Sequence, residues 1–156
     1  MKKIDLGQTI AVLANIGVLA GILFLAYEMR QNTVATRLAS AESLSAAVSS
    51  TELTVAANPE LADLVRRASE GDELTATEAL RIDVFYRAAV RQWQNAYYRY
   101  LSDTLEDELW QPFREAIART LAVDEGLRTH WRNSRGTYSP AFQEMIDRIY
   151  EERRLE

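Results

Sequence analysis

The chain has 156 residues, a formal net charge of −5 and no cysteine, which limits the functions open to it. Its length is enough for one ordinary domain. The acidic balance argues against nucleic acid as a partner, because a phosphate backbone requires a basic surface. Without cysteine there is no disulfide, no catalytic thiolate, no iron–sulfur cluster and no cysteine-ligated zinc.

An uncharged apolar stretch runs from Leu6 to Tyr27. As a helix it would span about 33 Å, close to the hydrocarbon thickness of a bilayer. The stretch is long for a signal peptide, and residues 26–28 do not fit a cleavage site. A soluble core helix would show a polar face, whereas the polar residues here are Gln8, Thr9 and Asn15. We predict a transmembrane anchor, with a cleaved signal and a soluble core helix as the alternatives.

Small residues share one face of this predicted anchor. At 100° per residue the following fall within about 120° of one another: Gly7, Ala11, Ala14, Gly17 and Gly21. Gly17 and Gly21 form a GxxxG pair, which lets two helix backbones approach closely. Asn15 lies just beside this face, and an amide in hydrocarbon needs a polar partner. We predict association through this face, with itself or another helix; the alternative is that small residues are simply common in anchors.

Four consecutive polar residues follow the anchor: Arg30, Gln31, Asn32 and Thr33. Just past the membrane face, such side chains can bind lipid headgroups or form hydrogen bonds between copies of the helix. The alternative interpretation is the ordinary polarity of a helix surface.

The sequence predicts an all-α fold in three parts, because no segment alternates with the period of a strand. Residues 1–27 are the N-terminal tail and transmembrane helix, residues 28–57 a stalk helix that continues from it, and residues 58–156 a helical head. Apolar residues at helical spacing predict a narrow stripe along the stalk, made up of Val34, Leu38, Ala41, Leu44 and Val48.

Capping signals divide the head into an irregular bundle of about four or five helices. Asn58-Pro59 restarts the helix, Gly71 ends it, Thr75 and Glu78 form a capping box, and later starts lie near 106, at Asp124 and at Ser139-Pro140. Helical spacing predicts an aromatic core, to which the long third helix contributes Ile82, Phe85, Ala89, Trp93, Ala96 and Tyr100, and the last helix Phe142, Met145 and Ile149.

The single histidine, His130, is the first candidate for chemistry. Asp124 and Glu125 precede it, but they are better interpreted as a helix cap and a first-turn acid. Neither copy of the Glu-x-x-His motif of di-iron bundles occurs, and there is no glycine-rich nucleotide motif. We therefore predict no catalytic, cofactor or metal site, and interpret His130 as a polar partner at the edge of the core.

Several segments carry a family resemblance: FLAYEMRQNT at the junction, AxxPELADL, RQWQNAYYRY with the following DELW, and HWR with YSPAFQEMID. In these the chain resembles a widespread group of uncharacterised bacterial single-pass membrane proteins. The resemblance implies a juxtamembrane Arg-Gln-Asn-Thr, here residues 30–33, and a head ending in a Ser-Pro-x-Phe helix, here residues 139–142. It implies a location in the bacterial inner membrane and no particular activity.

These observations favour a non-enzymatic accessory or assembly subunit, or a self-associating scaffold. Its partners would be membrane lipids and either further copies or other transmembrane subunits of a larger complex. The alternative is a membrane-anchored sensor of a small molecule or lipid, with a pocket in the aromatic head.

The orientation in the membrane is nearly balanced in charge. Lys2 and Lys3 outweigh Asp5 on the N-terminal side, and Arg30 and Arg37 lie on the other. The resemblance implies more basic charge after the anchor, so we predict a cytoplasmic head.

Overall fold

The computed structural model describes residues 6–154, within which all regular structure is helical and no strand occurs. It contains six α-helices and one short 3₁₀ turn, Arg135–Thr137. The helices are α1 Leu6–Ala56, α2 Pro59–Glu70, α3 Ala76–Leu101, α4 Asp107–Val123, α5 Glu125–Ser134 and α6 Pro140–Arg154. The predicted all-α fold, a long N-terminal helix followed by a bundle of shorter ones, is confirmed.

The chain divides into two compact units, Met1–Ala39 and Ser40–Glu156. In the first unit, every side chain in residues 10–39 is exposed. The helix α1 is long and apolar enough to cross a membrane, by its length and composition. The basic tail of residues 1–5, including Lys2, Lys3 and Asp5, lies outside the described residues. The predicted boundaries after residues 27 and 57 stay predictions.

Helix α2 begins and ends at the capping residues predicted from the sequence. The Asn58 side chain accepts a hydrogen bond from the Leu61 backbone N–H at 3.0 Å, and Pro59 occupies the first turn. Gly71 ends the helix with φ 80°, in the left-handed conformation that suits glycine. The sequence therefore fixes both ends of this helix within a few residues.

The predicted capping box at the start of α3 is also present, and it ties α2 to α3. The Thr75 hydroxyl accepts the Glu78 N–H at 3.3 Å, and the Glu78 carboxylate accepts the Thr75 N–H at 2.9 Å. Arg67 of α2 forms an ion pair with the same carboxylate. Hydrogen bonds from Arg67 and then Thr75 lower the pKa of Glu78 to about 2, so the side chain stays ionised near neutral pH.

The core of the second unit is aromatic, as predicted. Tyr100 stacks on Trp110 with ring centroids 5.0 Å apart, and Trp131 stacks on Tyr138 at 5.4 Å. Phe142 is fully buried and meets Trp131 edge to face at 5.9 Å. Offset and edge-to-face pairs of this kind stabilise a core by about 0.5–1.5 kcal/mol each beyond burial. Met145 and Ile149 are buried as expected.

The predicted core face of α3 packs against the core at Ile82, Phe85, Trp93, Ala96 and Tyr100, but the helix buries a wider face than the predicted stripe. The fully buried residues of this helix are Ile82, Tyr86, Val90 and Ala96, whereas Phe85, Ala89, Trp93 and Tyr100 are half-buried. The reason is that α3 contacts three helices, α2, α4 and α5. A helix with neighbours on several sides buries a wider face than one stripe with three-and-four spacing.

The C-terminal part of α1, from Ser40 onward, packs within the second unit. The Arg99 guanidinium of α3 donates to the Ser40 carbonyl and to the Ser43 hydroxyl, each at 3.0 Å. Further along, the Thr51 hydroxyl and the Gln92 side chain lie 3.2 Å apart. Polar contacts at two levels therefore hold this part of α1 to α3.

The predicted stalk stripe lies in both units. Leu44 packs against the core of the second unit, and Ala41 and Val48 are half-buried there. Val34 and Leu38 belong to the first unit and are 61% and 60% exposed. The head thus supplies the neighbour that the second half of the stripe needs.

Gly126, in the first turn of α5, lets this helix approach α2 closely. A Cβ atom at this position would lie 2.7 Å from the Ala68 carbonyl oxygen and 2.9 Å from the Tyr86 hydroxyl. Both distances are shorter than a side-chain carbon tolerates, and one of the obstacles is backbone. Glycine is therefore required here for packing, and a larger residue would push α5 away from α2.

We expect Gly126→Ala to lower the free energy of unfolding by about 1–3 kcal/mol, because the added methyl overpacks this contact. The measurement is denaturant unfolding of the full chain in detergent micelles, followed by circular dichroism. Gly136→Ala is the matched control, since a Cβ there meets nothing within 4 Å. Equal stability of the two variants would contradict the packing requirement.

Candidate functional site

A cleft of about 590 Å³ opens between α2, α3 and α5 in the second unit, within the size range of small-molecule sites. Its apolar wall is formed by Ala68, Leu74, Ala79, Ile82 and the ring of Tyr86. Its polar lining comprises Asp72, Asp83, Glu125, Thr129, His130 and Asn133, and two glycines, Gly71 and Gly126, complete it. The close contact at Gly126 therefore lies at one edge of the cleft.

His130 lies in the wall of the cleft, with 3% of its side chain exposed. Its Nδ1 is 2.8 Å from an Asp83 carboxylate oxygen, and its Nε2 is 3.3 Å from the Tyr138 hydroxyl and 3.1 Å from the Ser134 hydroxyl. A carboxylate accepts only, so Nδ1–H donates to Asp83. Both ring nitrogens thus have protein partners, as a polar residue at the edge of a core requires.

Asp83, His130 and Ser134 contact one another in the order found in a catalytic triad. The Ser134 hydroxyl, however, forms a hydrogen bond to the backbone of its own helix. This hydroxyl lies 2.6 Å from the His130 carbonyl oxygen one turn earlier, to which it donates. Ser134 is also not among the residues that line the cleft. The geometry therefore supports a structural interpretation of this serine.

The Asp83 carboxylate joins the buried network to the surface. Partial desolvation opposes its ionisation, but hydrogen bonds from Arg87 and from His130 outweigh that effect and lower its pKa. Arg87 pairs with it from the next turn of α3. The cleft therefore carries an ionised carboxylate near neutral pH.

Tyr86 and Asp124 form a second buried pair beside the cleft. The Tyr86 hydroxyl donates to Asp124 at 2.8 Å, and the same carboxylate accepts the Leu127 backbone N–H at 2.8 Å, so that it caps α5 as predicted. Burial and then the nearby Asp124 charge raise the pKa of Tyr86 far above its ordinary value. The phenol therefore stays protonated and acts as a donor.

The carboxylates and His130 of the cleft are residue types that can also bind a metal ion. Within residues 6–154, no three histidine or carboxylate side chains come together in a way that could hold a metal ion.

The predicted association face lies in the first unit. Gly7, Ala11, Ala14, Asn15, Gly17 and Gly21 are all exposed there. A Cβ built on Gly17 or Gly21 would meet nothing within 4 Å. The face is thus accessible along the helix, as an association surface has to be.

The predicted juxtamembrane residues also lie in the first unit and are exposed. Gln31 donates to the Tyr27 hydroxyl at 2.7 Å, and Thr33 donates to the Met29 carbonyl at 2.9 Å. The Asn32 carbonyl accepts a hydrogen bond from Thr36 at 2.8 Å. All three hydrogen bonds join residues of the same helix. The side chains of residues 30–33, including the Arg30 guanidinium, are therefore exposed on the surface of α1.

Sequence reasoning did not identify the residues that form the cleft, although one signal for them was present. Asp83 and Tyr86 are polar residues three apart on α3, next to the predicted apolar stripe. Such a pair on a helix that carries the core indicates a polar partner elsewhere in the fold. Which residues supply it, here His130 and Asp124, depends on contacts between α3 and α5 that spacing does not reveal.

Comparison of the chain with protein-family models, curated proteins and solved structures finds no match. The site is therefore interpreted from its own geometry.

We expect Arg87→Gln to raise the pKa of Asp83 toward the ordinary value of 3.8, because one of the two hydrogen bonds that lower it is removed. A carboxyl with a lowered pKa contributes stability above its unfolded-state pKa, and this contribution is lost as the pH falls. The wild type should therefore lose more stability than the variant between about pH 5 and pH 3. Carboxyl ¹³C NMR titration measures the pKa, and unfolding at each pH measures the stability.

Arg66→Gln is the control, because Arg66 pairs with Asp63 and Glu70 on α2. An unchanged Asp83 titration in Arg87→Gln, or the same change in both variants, would contradict the assignment.

Proposed function

We propose that the protein is a non-enzymatic, membrane-anchored accessory or assembly subunit, or a self-associating scaffold, of the bacterial inner membrane. The exposed apolar surface of the first unit carries this proposal. Lipid and a partner helix are the two environments that cover such a surface, and a membrane-embedded scaffold meets both.

The amount of exposed apolar surface supports insertion into a bilayer. Eleven large apolar side chains between Ile10 and Tyr27 are each more than half exposed. Burying a side chain of this size gains about 1.5–3 kcal/mol, so together they favour an apolar environment by roughly 20–30 kcal/mol. Glu28 ends the uncharged stretch, where the interface would begin.

The small-residue face supports association within the membrane. Gly17 and Gly21 leave a shallow groove in the helix surface, which suits close packing of a second helix. Asn15, beside it, would gain a hydrogen bond to a neighbour that lipid cannot provide. The exposed polar segment from Arg30 to Thr33 would continue the contact at the headgroup level, or bind the headgroups themselves.

The head supports a binding role more than a catalytic one. Its aromatic core is filled, with Trp110, Trp131 and Phe142 buried. The groups at the cleft that resemble catalytic residues have protein partners: His130 through both nitrogens, and the Tyr86 hydroxyl through Asp124.

A second candidate function is the sensing of a small molecule, and the cleft between α2, α3 and α5 favours it. The cleft combines an apolar wall with a few convergent polar groups, as ligand sites do. In this form the anchor would localise the protein and the head would bind the ligand.

We expect the protein to remain in the membrane fraction after carbonate washing, because the apolar helix would be inserted in the bilayer.

We also expect the head to lie in the cytoplasm. A reporter fused after Glu156 should therefore show fluorescence if it is a cytoplasm-only reporter, and no activity if it is alkaline phosphatase. Release by carbonate would contradict insertion, and phosphatase activity would place the head in the periplasm.

We expect Gly17→Leu and Gly21→Leu each to weaken self-association of the full chain in a bilayer by about tenfold, or roughly 1.4 kcal/mol, because the new side chain separates the backbones. Energy transfer between labelled copies in lipid vesicles measures this at a series of dilutions.

Val12→Phe is the control for these variants, since it enlarges a side chain roughly 160° around the helix from the glycine pair. Association that responds equally to all three variants, or to none of them, would refute the proposed face.

A further inference from the structure

The charge of the cleft restricts the ligand it can accept. Three carboxylates line it, those of Asp72, Asp83 and Glu125, and the described residues of its lining include no lysine or arginine. An anionic ligand would meet like charge at each of these positions. His130 would not compensate, because both of its ring nitrogens are already hydrogen-bonded.

Two of these carboxylates are fixed in the ionised form from outside the cleft. Asp83 pairs with Arg87, and Glu125 pairs with Arg128 at 2.7 Å and Arg132 at 3.1 Å. The hydrogen bond from Arg128, and then that from Arg132, lower the pKa of Glu125. The arginines hold these carboxylates in place, and the negative groups form the surface that a ligand would meet.

The third carboxylate differs, because Asp72 forms no salt bridge within the described part of the chain. The Arg66 guanidinium interacts with it only at longer range and forms its salt bridges with Asp63 and Glu70. Its backbone N–H closes the end of α2 by donating to the Arg67 carbonyl at 3.0 Å. The backbone contact positions Asp72 at the rim, so its side chain is available to a cation in the cleft.

The apolar wall of the cleft favours a ligand that has an apolar group. Ala68, Ile82 and Tyr86 are at most 6% exposed and present hydrocarbon and an aromatic ring to the cleft. Leu74 is half-buried beside them. A hydrated metal ion would gain nothing from this wall, whereas the body of an organic ligand would be buried against it.

We propose that the cleft binds a small organic ammonium ion with an apolar body, whose charged nitrogen is held by Asp72 at the rim. This inference rests on the second candidate function, the binding of a small molecule by the head. The ammonium group would donate to Asp72, because Asp83 and Glu125 are already neutralised by their arginine partners. The apolar body would lie against Ile82, Leu74 and the Tyr86 ring.

Three probes of one shape and different charge test the proposal: cyclohexylmethylamine, cyclohexanecarboxylate and cyclohexylmethanol. Each is titrated at neutral pH and physiological salt into the full chain in detergent micelles, with binding followed by calorimetry and by the NMR signals of the His130 ring. We expect the amine to bind most tightly, and the carboxylate at least about tenfold more weakly, as expected for loss of a charge-assisted hydrogen bond.

Variants locate the binding. Asp72→Asn should weaken amine binding by about tenfold, and Ala79→Trp should abolish binding of all probes by filling the cleft. Glu73→Gln is the matched control, because it removes the same charge one residue away from a side chain outside the lining, and it should leave the affinity unchanged.

The outcomes separate the proposal from the function on which it rests. Preferential binding of the carboxylate or the alcohol, blocked by Ala79→Trp, would keep the cleft as a ligand site and overturn the ammonium assignment. Equal weakening by Asp72→Asn and Glu73→Gln would also overturn it, since general charge would then explain the effect. Absence of binding by all three probes would overturn both the assignment and the sensing function.

Discussion

The close contact of α5 with α2 at Gly126 is the constraint on which the second unit depends. It lets the Ala68 carbonyl and the Tyr86 hydroxyl come within reach of the α5 backbone. Tyr86 can then donate to Asp124, and His130, one turn further along α5, can reach Asp83. The cleft is the space left where α2, α3 and α5 diverge from this contact.

Local structure could be predicted from the sequence because its causes are local. Asn58, Thr75 and Asp124 each accept a backbone N–H three residues later, so a short stretch of sequence contains both partners. The left-handed turn at Gly71 and the proline at residue 140 act in the same way. These signals therefore mark helix starts and ends without any tertiary contact.

The candidate site could not be predicted because its contacts join distant residues. Tyr86 and Asp124 are 38 residues apart, and Asp83 and His130 are 47 apart. Helical spacing also assumes one buried face, and α3 departs from that assumption at Tyr86, whose hydroxyl reaches Asp124 and the start of α5. For the exposed apolar part of α1 the limit is different, since no other part of the described chain covers it.

Asp124 has a mechanical consequence. It is the one residue between the end of α4 at Val123 and the start of α5 at Glu125, and its carboxylate is held by Tyr86 and Leu127. A connection of one residue, held on both sides, leaves no loop between α4 and α5. Since α5 carries one wall of the cleft and Trp110 of α4 lies in the aromatic core, Asp124 fixes the position of that wall relative to the core.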